Sequence, residues 1–351
     1  MDFKNFSLLV LAGGKNSKLG QDKRFIEVGG KKLLENILQK AQEKNFAQIF
    51  LCVEQEILPL SILSWKYDAK ILVNKFKNSE PLSEIATGLS KIQTDWALAI
   101  SADMPFFEFE TLQEIEKFSR LRAIIPEVGG ELKPLAGFYH KSLAEKFSQA
   151  IQFGETDILE AAKKVPHKFI KLSADEKNFF KINTRADLRM AQGRAANLSR
   201  KVPIISVADE EETFTEKLVE NLSAEKISVA VIKSELQEFN FEIEGVKKFQ
   251  DAGAKNVAVI SSEGWLMFRQ TERREDFLTV AEKFEGADLI LIECRTPVTQ
   301  PALSLLNAED ISADKKIAAI FSSEPETSDE VFQFDLRDIN SAIKICKFLM
   351  N

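Results

Sequence analysis

Apolar runs and amphipathic stretches alternate along the whole chain, the pattern of a parallel or mixed sheet wrapped in helices. The first run, Leu8 to Leu11, ends abruptly in Gly13-Gly14, passes a polar loop and reaches Lys18 and Lys23. Leu33-Leu34-Ile37-Leu38-Ala41 has helical spacing and leads to a strand at Ile49–Val53; a short apolar run at Ile71–Val73 and a helix from Leu82 to Ile92 follow. Trp96–Ile100 is apolar throughout, as a parallel strand buried on both faces is, and runs straight into Ser101-Ala-Asp-Met-Pro105. A helix is expected from Phe107 to Phe118, strands at Ala123–Ile125, Leu135–Tyr139 and His167–Leu172, and helices at Ser142–Ile151 and Asp157–Lys164. Phe179–Thr184 then leads into a helix beginning at Arg185.

From Gln192 to Lys201 the sequence is polar and short on large hydrophobes, a linker composition. A second α/β series follows. Val202–Ala208 (strand), Thr213–Leu222 (helix) and Ile227–Ile232 (strand) form a βαβ unit, with further strands at Val257–Ile260, Leu289–Glu293 and Ile317–Phe321 and a helix from Ile339. The expectation is two α/β domains, residues 1–195 and 201–351. A chain of 351 residues exceeds the usual size of one domain, which agrees.

Composition narrows the classes. With 47 Lys and Arg against 54 Asp and Glu, the net charge of −7 argues against a general nucleic-acid binder. Cys52, Cys294 and Cys346 lie far apart, with neither metal-ligand spacing nor a disulfide framework. The first residues lack the apolar core of a signal peptide, and no apolar run is long enough to span a membrane; a cytoplasmic protein is expected.

Two features suggest chemistry. A strand breaking into a glycine loop brings backbone N–H groups against a phosphate, and lysines add mobile positive charge. No Gly-Lys-Ser/Thr follows Gly14, so the loop is not a Walker A. Asp103 lies at the end of another strand, on the side where open α/β sheets bind ligands. A carboxylate there suits Mg²⁺, which takes hard oxygens and the substrate's own phosphates. Each residue also has a plainer role open to it. Asp103 and Asn183 suit helix N-caps, Lys18 and Lys23 suit a solvated face, and His140 suits a structural strand end.

Leu11-Ala-Gly-Gly14, Gly20-Gln-Asp-Lys23, Ala102-Asp-Met-Pro105, Lys133-Pro-Leu135 with Tyr139, and Ile182-Asn-Thr184 with Asp187-Leu188 occur in that order. Together they resemble the molybdenum cofactor guanylyltransferases, nucleotidyltransferases of the GT-A, nucleotide-diphospho-sugar-transferase-like type. The resemblance implies Mg²⁺-dependent transfer of GMP from GTP to molybdopterin, with release of pyrophosphate. It places Leu11, Ala12, Gly13 and Gly14 on the nucleotide, with Lys18, Asn74 and Asn183 as further substrate contacts. Lys23 would hold the phosphates, and Asp103 would bind Mg²⁺; these two carry the catalysis. Attack by a phosphate that is already an anion needs no strong general base, so positioning and charge neutralisation carry the rate.

The sequence departs from the family in several places. Lys18-Leu19 stands for Arg-Met, and Lys133 for a Gln. Pro81-Leu-Ser-Glu84 ends in a carboxylate where a glycine is usual, adding bulk and negative charge close to the expected phosphates. Asn74 aligns with an Asp that reads guanine, and the Asn expected around Val53-Glu54-Gln55 is absent. The alternative functions are a nucleotidyltransferase of the same fold that uses CTP or acts on another phosphorylated acceptor, and a non-catalytic scaffold of the same pathway.

The second half resembles the P-loop adaptor protein of molybdopterin-guanine dinucleotide synthesis through Thr215-Glu-Lys-Leu218, Val229–Lys233, Ala252-Gly-Ala254, Ala287-Asp-Leu289 with Glu293, and Phe334-Asp-Leu336. Its Walker A is missing: Glu210 and Glu211 stand where Gly-Lys belongs. The resemblance implies a P-loop-NTPase-like domain without a functional phosphate loop, docking on a molybdoenzyme or another protein of the cofactor pathway.

Overall fold

The strand Phe6–Leu11 is buried along its whole length. Successive side chains point to opposite faces of a strand, and here each face meets its own core. Phe6, Leu8 and Val10 enter one hydrophobic cluster, Leu9 and Leu11 the other. A sheet apolar on both faces must be covered on both. The helix Leu33–Glu43 contributes Leu34, Ile37, Leu38 and Ala41 to the first cluster. Helices Leu82–Leu89, Leu143–Gln152 and Ile158–Lys163 supply the second.

The computed structural model describes residues 2–13, 19–76, 79–113, 115, 120–209, 213–233, 246–262, 264–269, 275–305, 314 and 316–350. Two units are distinguished, Met1–Ala191 and Gln192–Asn351. In the first, the sheet runs His167–Lys171, Ala123–Val128, Ala136–His140, Trp96–Ser101, Phe6–Leu11, Gln48–Val53, Ala69–Val73, with Glu131–Leu132 paired to Ala123–Val128. Phe6–Leu11 is parallel to both of its neighbours, so the loops after Leu11, Ser101 and Val53 leave from the same edge. Ala136–His140 runs antiparallel to Trp96–Ser101 on one side and to Ala123–Val128 on the other.

Two local expectations change. Instead of a helix from Phe107, a 3-10 turn spans Phe109–Leu112; residues 114 and 116–119 lie outside the described part. Phe107 and Phe109, two apart, are both fully buried and meet edge to face at 5.3 Å, a spacing that α-helical geometry would split onto different faces. The helix Leu58–Lys66 was not anticipated. Leu60 and Leu63 are buried, but Leu58, Ile62 and Trp65 are exposed, so the sequence shows no amphipathic period to read.

The second unit has a parallel sheet ordered Val229–Lys233, Leu289–Cys294, Ile204–Ala208, Ala302–Ser304, Ile317–Ser322, Phe332–Asp335. A separate antiparallel pair joins Asn256–Ile260 to Trp265–Arg269. The segment expected as a linker is helical: Arg185–Leu198 forms one helix, and the division between the units falls within it. Two of its polar residues, Arg194 and Asn197, are buried. Asn197, fully buried, donates from Nδ2 to the Leu349 carbonyl at 3.0 Å and accepts at Oδ1 from the Ile204 N–H at 3.0 Å and from Arg200 at 2.6 Å. Polar residues in such a stretch look like a linker until their buried partners, far off in sequence, are known.

An unpaired buried backbone group costs about 1–3 kcal/mol. Asn197→Ala strips partners from Ile204 N–H and Leu349 C=O together, so a loss of about 2–4 kcal/mol is expected. Urea unfolding should show a lower midpoint at unchanged slope.

Candidate functional site

The parallel strands deliver three loops to one place. Ala12 N–H donates to the Cys52 carbonyl at 2.9 Å, and Ala102 N–H to the Leu11 carbonyl at 3.0 Å, so the pairing continues one residue past the strands. Beyond it lies a cavity of about 280 Å³, lined by Leu11 to Gly13, Ser101 to Asp103, Lys23, Arg24, Glu80, Pro81, Glu84, Leu135, Lys181 and Asn183.

Asp103 is 4% exposed, and a carboxylate so buried needs compensation. Lys23 supplies it from the 3-10 turn Lys23–Phe25, with Nζ 2.7 Å from Asp103 Oδ2. The Ser101 hydroxyl donates to Oδ1 at 2.5 Å. The turn itself is fixed by Asp22 and Arg24. Asp22 Oδ1 accepts from Arg24 N–H at 3.1 Å, the buried Arg24 guanidinium grips the same carboxylate, and its Nη1 donates to the Ala12 carbonyl at 3.3 Å. Lys23 is thereby tied to the glycine loop as well as to Asp103.

The other wall is set by a close approach of helix to strand. A β-carbon on Gly88 would lie 2.6 Å from the Leu9 side chain, so glycine lets the helix Leu82–Leu89 sit against the central strand. Glu84, one turn earlier on the same face, is then aimed at Gly13. Its Oε1 accepts the Gly13 N–H at 2.6 Å, and a β-carbon on Gly13 would come within 2.5 Å of that oxygen. Glu84 is 3% exposed; burial, with Glu80 adding to it, pushes its carboxyl up to about 8. This corrects the expectation of an extra negative charge. At neutral pH Glu84 is mainly a neutral acid, and it occupies a loop N–H expected to face the nucleotide.

Leu11, Ala12, Gly13, Lys23, Asp103 and Asn183 therefore line one cavity. Gly14 and Lys18 lie outside the described residues. Asn74 is held by its backbone N–H to the Val53 carbonyl at 2.8 Å, and both polar atoms of its side chain are buried without a hydrogen-bond partner. Asn183 is not the helix cap: Thr184 Oγ1 accepts from Asp187 N–H at 3.1 Å, while Asp187 Oδ2 accepts from the Asn183 and Thr184 N–H groups at 2.9 Å, a reciprocal capping arrangement. His140 is not among the cavity's lining residues and bonds through Nδ1 to Ser142 at 2.8 Å. Sequence reasoning missed Arg24, Ser101, Glu80 and Lys181. Burial pushes the Lys181 ammonium below its usual range, with Lys133 and Lys23 acting the same way and Asp103 opposing them.

Among the described residues no group of three or more His, Cys, Asp or Glu is placed to hold a metal. A divalent ion that takes one or two carboxylates and completes its shell with substrate phosphates fits what is present. Asp103 supplies the buried carboxylate, and Glu80, whose Oε1 is buried without a partner, lines the same cavity.

A loop leaving a buried strand, a lysine and a carboxylate thus meet at the carboxyl edge of a mixed sheet. Residues 8–165 match the family described as MobA-like NTP transferase domain, and residues 211–322 match molybdopterin guanine dinucleotide synthesis protein B. The two matched stretches follow one another along the chain and share no residue. Its relatives include three proteins named "Probable molybdenum cofactor guanylyltransferase". That of Peptoclostridium acidaminophilum is 26% identical over 52% of this chain and 86% of its own. That of Aquifex aeolicus is 27% identical over 51% and 87%. That of Natranaerobius thermophilus is 28% identical over 54% and 95%.

The Glu84 carboxyl has a consequence for stability. Its folded pKa of about 8 lies above the ordinary 4.5, so the folded state keeps a proton that the unfolded chain releases. The stability this group contributes is fullest below pH 4.5 and is lost as pH rises towards 8. Glu84→Gln is expected to remove that slope, at most about 1.4 kcal/mol per pH unit across the window. Unfolding free energies of both proteins between pH 5 and pH 8, on the order of four points, measure it directly.

Proposed function

We propose that the chain transfers GMP from GTP to molybdopterin, giving molybdopterin guanine dinucleotide and pyrophosphate, and that it does so in the cytoplasm with Mg²⁺. Support comes above all from one observation: Lys23 and Asp103 meet at 2.7 Å beside the Leu11–Gly13 loop, inside one cavity. The names of the relatives supply the substrates. Asp103 would hold the Mg²⁺, which supplies charge neutralisation on the phosphates. Lys23 would exchange part of its contact with Asp103 for a phosphate oxygen, stabilising negative charge as pyrophosphate leaves. The Leu11 and Ala12 backbone and Asn183 would position the nucleotide and acceptor, and Asn74 would present its buried amide to the base. The attacking phosphate is already an anion, so no proton need be removed from it.

The second reading, a non-catalytic scaffold, is favoured by the Glu84 contact on Gly13, because that N–H is then unavailable to a nucleotide. Purified protein with Mg²⁺, molybdopterin and GTP, CTP or ATP in turn separates the possibilities. Pyrophosphate release with GTP, lost about a hundredfold or more in Asp103→Asn, is expected, since a charge-bearing group at the reacting phosphates is worth that much. Preference for CTP would make it a cytidylyltransferase, and silence with every nucleotide would leave the scaffold.

The MobB domain is read as a docking module for a molybdoenzyme or another cofactor-pathway protein, without a working phosphate loop. Glu210 and Glu211 lie outside the described residues, but Asp209 supports this reading. Buried at the start of the helix Thr213–Ala224, its Oδ2 accepts from the Phe214 and Thr215 N–H groups, each at 3.1 Å. A phosphate would need such donors. Calorimetry of the full chain with Mg·GTP is expected to show a single site, abolished or weakened by Lys23→Ala; a second, unaffected site would refute the docking reading.

A further inference from the structure

The 181–183 segment is pinned beside Asp103, because Ile182 N–H donates to the Asp103 carbonyl at 3.1 Å. That bond places Lys181 and Asn183, on either side of Ile182, along the cavity wall. The charges there are not all paired. Of the cavity's cations, Arg24 is committed to Asp22 and Lys23 to Asp103. Lys133, close enough to act on Lys181, is paired with Glu131 at 2.6 Å. Lys181 is half-buried and makes no hydrogen bond or ion pair among the described residues. Of the carboxylates, Glu84 is turned towards Gly13, Asp103 is already shared by Lys23 and Ser101, and Glu80, though it lines the same cavity, leaves its buried Oε1 unpartnered rather than reaching Lys181. An ammonium sheltered from water without a partner is costly, and the missing partner is an anion.

Position identifies which anion. Hydrogen bonds fix an order: the Leu11–Gly13 loop, then the Ala102–Asp103 corner bonded to Leu11, then the 181–183 segment bonded to Asp103. A nucleotide on the loop would sit at one end of this order, and Lys181 belongs to the segment at the other end. We propose that Lys181 binds the phosphate monoester of the acceptor, holding the attacking oxygen across Asp103 from the nucleoside triphosphate. The assignment rests on the nucleotidyltransferase reading. In the transfer, an acceptor oxygen forms a bond to the α-phosphorus, the bond to the β-phosphate bridging oxygen breaks, and pyrophosphate takes that electron pair. Lys181 is a binding group throughout and exchanges no proton.

The test compares wild type, Lys181→Gln and Lys181→Arg as full chains. For Lys181→Gln the acceptor KM is expected to rise about 10- to 100-fold, as loss of a charge-assisted hydrogen bond implies. The Mg·GTP dissociation constant should stay within about twofold, and Lys181→Arg should recover most of the loss, since guanidinium also binds phosphate. Weaker GTP binding with an unchanged acceptor KM would overturn the assignment and place Lys181 on the triphosphate. A second measurement does not need turnover. Inorganic phosphate, titrated into chain saturated with Mg²⁺ and a non-hydrolysable GTP analogue, should bind wild type and not Lys181→Gln. Equal binding, or none to wild type, refutes Lys181 whether or not the enzyme turns over. Phosphate binding with no pyrophosphate release from any nucleotide would instead uphold the Lys181 site while refuting the activity. Removing an unpaired cation should leave the melting temperature equal or higher; a fall would mark Lys181 as structural.

Discussion

Parallel pairing of Phe6–Leu11 with both neighbours is the constraint on which the first unit turns. Parallel strands end on the same edge, so Leu11, Ser101 and Val53 discharge their loops together. The pairing holds only because both faces of the strand are packed, which is why Leu8 and Leu9 serve different cores. Antiparallel neighbours would have sent the glycine loop and the Asp103 corner to opposite edges, with no shared cavity. Gly88 extends the same logic. Without a side chain there, the helix meets Leu9 closely enough to place Glu84 beneath Gly13.

Buried charge is handled in two ways around this cavity. Asp103 is compensated by an ammonium and a hydroxyl, so its carboxylate stays available to cations. Glu84 receives the Gly13 N–H and feels Glu80 nearby, so burial wins and the carboxyl is held towards neutrality. Two carboxyl groups close to the same loop thus have different partners, and the one held towards neutrality, Glu84, is the less suited to a metal.

Much of this was legible from the chain. Asp103 and the Leu11–Gly13 loop follow apolar runs, and a polar residue directly after a buried strand has few places to go but the sheet's carboxyl edge. Lys23 was legible as a cation near that loop, though its partner, 80 residues on, was not. Arg24, Ser101 and Lys181 went unnoticed because only the folded sheet brings their segments to one cavity. Glu84 was read with the wrong charge, since burial rather than residue type sets it. The polar stretch from Gln192 misled for a related reason. Asn197 looks solvated until Ile204 and Leu349 are seen to use it. The helix Leu58–Lys66 defeated periodicity from the other direction, by exposing apolar residues.

A protein carboxyl group meets backbone N–H donors in both units, and the difference between the two contacts bears on which one a nucleotide could displace. Asp209 receives two N–H groups and the Thr215 hydroxyl at the head of a helix twelve residues long, where the helix dipole adds to the attraction for negative charge. A phosphate arriving there would have to replace every one of these bonds to a buried side chain. Glu84 accepts the Gly13 N–H and is largely neutral near pH 7. On its displacement the Gly13 donor would pass to a ligand with more negative charge to offer. The same kind of contact is thus a fixed internal plug in one unit and a replaceable one in the other, which favours the Leu11–Lys23 region as the place where this chain handles a nucleotide.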